Sequence, residues 1–188
     1  MVYNSLNHAS SFNNPCATTL TPRIYVACLA SYTNGILYGA WIALDQPLED
    51  VLEQIRRLLD KSPMPGAEEI AVHNFEGFGS LSIGEYESIT MIHDQAEFII
   101  EHGALGAELL AHYGGNLEDA EKTLEDYYMG EHESELAYAT DLFDELYMHD
   151  IPESAQYYVD YQKFQRDIFI NDYFSLEVNG KCHVFVYH

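Results

Sequence analysis

PRIYVACLASYTNGILYGAWIAL, residues 22–44, decides the class of fold. Ile24–Ala30 is an apolar run short enough for a strand. Thr33-Asn34-Gly35 carries the Asn-Gly pair that favours a two-residue hairpin turn, because both turn positions tolerate positive φ. Ile36–Leu44, with the single tryptophan Trp41, then pairs back as a second strand. Downstream, Pro47 stands near the start of a helix running to about Lys61. Leu48, Val51, Leu52, Ile55, Leu58 and Leu59 recur there at helical spacing and are expected on its buried face. Ser62–Gly66 breaks it, and Glu69–Asn74 reads as a third strand. A small sheet with one helix makes a first α+β unit.

Phe75-Glu76-Gly77-Phe78-Gly79 reads as a glycine-rich bend, after which the period changes from two to about 3.6. A helix is expected near Gly84–Glu101, with Tyr86, Ile89, Ile92, Ala96 and Ile99 on one stripe, and a shorter one over Leu105–His112. Asn116 is placed to cap the next, with Leu117, Ala120, Leu124 and Tyr127 inward. Ser134 caps another, whose inner face is Leu136, Ala139, Leu142, Phe143 and Leu146. Pro152 opens a last helix carrying Tyr157, Tyr161, Phe164 and Ile168. Tyr173–Val178 and His183–Tyr187, joined through Asn179-Gly180, close the chain as a hairpin. The expected class is α+β, an elongated chain of three small domains. Residues 1–21 form a mobile extension, 22–82 an α+β unit, 83–126 an acidic helical unit and 127–188 an acidic α+β unit.

Charge divides the chain along the same lines. The 188 residues carry a net charge of -23, with 47% hydrophobic and 13% aromatic residues, so a sizeable core is available despite the charge. Residues 1–66 are nearly neutral at -1, residues 67–117 carry -9 with no lysine or arginine, and residues 118–188 carry -13. A chain of this sign is unsuited to nucleic acid or to an anionic membrane, both of which need cations on the protein. No apolar run approaches the roughly 18 residues of a membrane helix, and residues 1–21 lack the pattern of a signal peptide. Cys16, Cys28 and Cys182 form no CxxC pair, which fits reduced thiols and the cytoplasm.

Catalytic and metal motifs are absent. Among 31 acids some pair can always be nominated as acid and base, so such a pairing has no specificity. His132-Glu133 begins an HExxH zinc motif, but Leu136 stands where the second histidine belongs. His73, His93, His102 and His112 are not at close ligand spacing, no EF-hand loop is present, and Gly77-Phe78-Gly79-Ser80 is neither a phosphate loop nor a nucleophile elbow. No enzyme activity, cofactor or metal is expected.

What remains is the acid surface itself. Duplex DNA presents about one negative charge per 1.7 Å of axis. A helix rising about 1.5 Å per residue with two acids per turn presents roughly one per 2.7 Å, and two such helices side by side match the duplex. The candidate phosphate surrogates are Glu85, Glu87, Asp94, Glu97, Glu101, Glu108, Glu118, Asp119, Glu121, Glu125, Asp126, Glu131, Glu133, Glu135, Asp141, Asp144 and Glu145. The competing readings are a solvated acidic face, a halophile's surface, and an acidic module for a basic nucleoid protein or transcription factor. The neutral first third argues against the halophile, which would spread its excess over every unit.

Five segments, in order, resemble the ArdA antirestriction proteins. They are Arg23–Trp41 (RIYVACLASYTNGILYGAW), Phe75-Glu76-Gly77-Phe78, Gly130-Glu131-His132-Glu133-Ser134 with Tyr138-Ala139, Tyr158–Phe174 (YVDYQKFQRDIFINDYF), and His183-Val184-Phe185. The resemblance spans about residues 22–188. It implies an elongated three-domain homodimer, shaped and charged like bent B-form DNA. Such a dimer fills the DNA-binding groove of type I restriction–modification enzymes, protects incoming mobile DNA and performs no catalysis. It also implies that the acidic antirestriction segment, about Glu131–Glu145, lies near the dimer contact.

Overall fold

The computed structural model describes residues 21–187. The extension expected over 1–21, Thr21 apart, and Cys16 lie outside the described residues. Those described form a mixed α+β structure with two three-stranded antiparallel sheets and seven α-helices.

The first sheet has the order β2-β1-β3, from β1 (Arg23–Cys28), β2 (Gly39–Ala43) and β3 (Ile70–Glu76). Register sets Ile24 opposite Ile42 on one side and Phe75 on the other, with a bulge between Tyr25 and Val26. Period-two alternation turns Ile24 and Val26 inward, both fully buried beneath Val51 and Ile55 of α2 (Leu48–Asp60). Each such side chain contributes about 1.5–3 kcal/mol by leaving water. Leu52, expected inside, is exposed, because only Val51 and Ile55 of α2 reach the sheet fully.

The expected Asn-Gly hairpin turn is not formed. After Cys28 the chain makes a helical turn, α1 (Leu29–Thr33), and Asn34-Gly35 ends it, with Gly35 at φ 79°. The Thr33 hydroxyl and Asn34 amide donate back to the carbonyls of Leu29 and Ala30 at 3.0 and 2.8 Å. A left-handed glycine serves a hairpin and a helix C-terminus equally, and burial of Ser31, bonded to the Ser62 hydroxyl at 3.0 Å, favours the helix. The second strand is correspondingly shorter than Ile36–Leu44.

The helix expected from Gly84 begins instead at Ile89. Residues 84–87 are held as a turn by the Glu87 carboxylate, which accepts from the Gly84 N–H at 2.8 Å, and Tyr86 is exposed. The helix α3 (Ile89–His112) joins both expected middle helices across a kink at Gly103 (φ 62°, ψ -144°), a conformation closed to side-chain-bearing residues. Next is α4 (Leu117–Asp126), where the Asn116 side chain accepts from the Asp119 N–H.

A strand with no expectation in the sequence follows, β4 (Tyr128–His132). It lies at one edge of the second sheet, order β4-β6-β5, beside β6 (Lys181–Val186) and β5 (Tyr173–Val178). The β5–β6 hairpin is as expected, with Asn179 and Gly180 at φ 53° and 75°. Ser134 caps α5 (Glu135–Leu146) by accepting from the Ala137 N–H at 3.1 Å. Tyr138 and Ala139 form its buried face, whereas Leu136 and Leu146, expected inside, are exposed.

The single helix expected from Pro152 is broken. A short α6 (Glu153–Gln156) stops, and Asp160 caps α7 (Tyr161–Asn171) by accepting from the Lys163 N–H at 3.0 Å. The cap supplies a second helix start, and Tyr157, expected on the buried stripe, is 91% exposed. The larger core cluster runs from the first sheet through α2, α3 and α4 to Phe174 and Phe185 of the second sheet. A smaller cluster holds Tyr138, Ala139, Ile168 and Val184.

Candidate functional site, a cation-poor acidic surface

On α3 the inward stripe of Ile92, Ala96 and Ile99 leaves Asp94, Glu97 and Glu101 exposed. On α4, buried Ala120 and Thr123 leave Glu118, Glu121 and Glu125 exposed. Both sets have the spacing i, i+3, i+7, which keeps each on one ridge about 10 Å long. Asp126 extends the second ridge, and Asp119 lies beside it, bonded to the Asn116 amide at 2.6 Å.

These ridges lack neutralising partners. Among the described residues, every ion pair to lysine or arginine lies elsewhere: Arg23–Glu76, Arg57–Glu53, Arg166–Asp167 and Lys181–Glu133. Lys122, the one base on α4, rests over the Tyr127 ring, 5.8 Å from its centroid. Helix α4 also ends against its own dipole, because Glu125 and Asp126 occupy the last turn with no base there. Each acid so placed costs roughly 0.3–1 kcal/mol.

In the last third, Glu131 is exposed on β4 and Glu133 is exposed just past its end, where it pairs with Lys181, whose ammonium pKa that bond raises. Asp141, Asp144 and Glu145 are exposed on α5, with Asp144 accepting from the Tyr161 hydroxyl at 2.6 Å. Four candidates have internal work. Glu87 holds the turn before α3. Glu108 accepts from the Ser80 hydroxyl at 2.9 Å, Glu135 accepts from Gln165 and Ser175 at 2.7 Å each, and Glu85 stands 3.7 Å from His73.

The family model described as antirestriction protein (ArdA) matches residues 24–182. The chain belongs to the ArdA antirestriction family. No curated protein matches it.

The motifs that carried the ArdA resemblance are largely structural. Phe78 is 1% exposed and packs edge-on against Phe75, closing the bend under the first sheet. His183 and Phe185 are buried in the second sheet. There the Tyr128 hydroxyl and His183 Nδ1 share a hydrogen bond of 2.7 Å. Burial pushes the Tyr128 pKa up to about 12 and lowers that of His183, so a protonated phenol faces a neutral imidazole. This pair was not legible in advance, since β4 itself was not. Among the described residues, no helix is long and apolar enough to cross a membrane.

His93, read in the sequence as one of several scattered histidines, is buried. Its side chain is 4% exposed, and Nε2 bonds the Gln46 carbonyl at 2.8 Å. It lines a cleft of about 760 Å³ with Asp45, Gln46, Pro47, Asp94 and Glu97. The signal was present as His, Asp and Glu at i, i+1 and i+4 on one helix, but scattered histidines hid it.

Proposed function

We propose that this ArdA-family protein is an antirestriction protein that imitates B-form DNA and occupies the DNA groove of type I restriction–modification enzymes. The observation that supports the reading is the pair of acidic ridges on α3 and α4, with no lysine or arginine ion-paired to them among the described residues and with α4 retaining acids at its unfavourable end. Local helix energetics would remove Glu125 and Asp126, so their presence is explained by a partner whose lysines and arginines meet them. The surrogate surface comprises the acids from Glu85 to Glu145 named above, acting collectively, since an exposed ion pair is worth only about 0–1 kcal/mol. The same proposal includes three units, 22–82, 83–126 and 127–188, the last pairing two copies into a dimer, and a cytoplasmic site of action.

The test is competition. Purified protein should displace a DNA duplex from a type I methyltransferase core, with potency falling as salt rises. Noncompetitive inhibition, or none, would overturn the proposal. Capture of a basic nucleoid protein or transcription factor in place of the methyltransferase would favour the acidic-module reading instead.

A further inference from the structure

We propose that His93, Asp94 and Glu97 form a binding site for one divalent cation of the zinc class. The site shares Asp94 and Glu97 with the α3 ridge, but its argument rests on how Gln46 and Glu97 flank the His93 ring, not on the DNA-mimic reading.

Three observations carry it. First, one ligand atom from each residue lies within 4.8 Å of the others. Asp94 and Glu97 are exposed, so their side chains have room to turn toward a shared ion. Second, the imidazole is fixed by a group outside the cluster. A carbonyl oxygen only accepts, so the 2.8 Å contact with Gln46 places a proton on His93 Nε2. That leaves Nδ1 as the ligand nitrogen, and an imidazole held through its other N–H by a backbone carbonyl is the usual arrangement of a metal-binding histidine. Third, Nδ1 has no hydrogen-bond partner. The Glu97 carboxylate stands 3.8 Å from it, beyond hydrogen-bond reach. Nδ1 therefore faces a carboxylate across a gap wider than a hydrogen bond, and a cation placed between them would bind both.

The donor set narrows the ion. Magnesium and calcium prefer all-oxygen shells, whereas one imidazole nitrogen with two carboxylates suits zinc and its first-row neighbours. The site lies in the cleft with Asp45 and Gln46, open to solvent, so water completes the coordination.

The experiment uses the full chain, ¹⁵N-labelled at histidine, titrated with zinc chloride and followed by long-range ¹H–¹⁵N NMR. Before metal, His93 should carry a proton on Nε2, held by the Gln46 carbonyl. Zinc should shift Nδ1 while leaving the Nε2 proton in place. Glu97→Gln and Asp94→Asn, both at exposed positions, should each weaken the response at His93 by about tenfold or more, the scale on which even outer groups tune metal sites. Glu121→Gln on α4 should leave it unchanged. Two results would overturn the site: a His93 signal unmoved by zinc, or equal zinc response in wild type and Glu97→Gln.

Discussion

Replacing Glu121, Glu125 and Asp126 with Gln, Gln and Asn separates a functional charge from a stabilising one. All three are exposed, and none has an ionic partner among the described residues. Glu121 and Glu125 repel at i, i+4, which costs an isolated helix about 0.2–0.5 kcal/mol. Glu125 and Asp126 oppose the dipole at the α4 C-terminus, at about 0.3–1 kcal/mol each. The triple variant should therefore be more stable by about 1 kcal/mol, a rise in Tm of roughly 2–4 °C for a chain of this size. Inhibition should move the other way. At about 0.5 kcal/mol for each exposed pair lost, three pairs amount to about 1.5 kcal/mol, near tenfold in affinity. The assay is displacement of a fluorescent duplex from a type I methyltransferase at 50 and 500 mM NaCl, alongside thermal melts of both proteins. The difference between wild type and variant should shrink at high salt, because screening already weakens the wild type. If the variant inhibits as well as wild type at low salt, these acids are a solvated face. If it loses both inhibition and stability, the charge argument for α4 is wrong.

Acid should destabilise the fold through two imidazoles taken partly out of water, His183 in the second sheet and His112 stacked on Phe174 at 4.4 Å. Burial lowers the pKa of both His112 and His183 from the ordinary 6.5, so each contributes fully above pH 6.5 and loses that contribution as the unfolded state takes up protons below it. Urea midpoints should fall between pH 7 and 5.5, and His183→Asn, which keeps an acceptor for Tyr128, should flatten part of that decline. Phe185 is fully buried and stacks on Phe174 at 5.0 Å, so Phe185→Ala should cost about 3–5 kcal/mol in denaturant unfolding. Gly103→Ala would place a side chain at φ 62°, ψ -144°, and should cost about 1–3 kcal/mol by the same measurement although nothing obstructs the added methyl. A loss under 0.5 kcal/mol would show that the α3 kink straightens freely.

Legibility in the sequence followed the range of the interactions. Helix α4 and the β5–β6 hairpin were readable because their signals are local: Asn116 before a regular apolar stripe, and Asn179-Gly180 between two apolar runs. The Asn34-Gly35 turn misled because one backbone conformation ends a helix or reverses a hairpin, and Ser31 meeting Ser62 decided between them. Tyr157 looked like part of a buried stripe until Asp160 started a new helix beyond it. Strand β4 gave no strand signal, since Gly130 and Glu131 have low strand preference; its pairing with β6 supplies the hydrogen bonds that hold it.

By itself the sequence determined the acid surface, its rise from the nearly neutral first third to the last, and membership of the ArdA family, since these depend on composition and motif order alone. Tertiary structure decided which acids are free. Glu108, Glu135 and Glu133 share charge and apparent exposure with Glu101, Glu121 and Glu125 in the sequence, yet partners 28, 30 and 48 residues away engage the first three. It also turned His93 into a cleft with two carboxylates, because its ring is held by Gln46, 47 residues earlier. Such pairings depend on where the core places distant segments, and no local pattern encodes them.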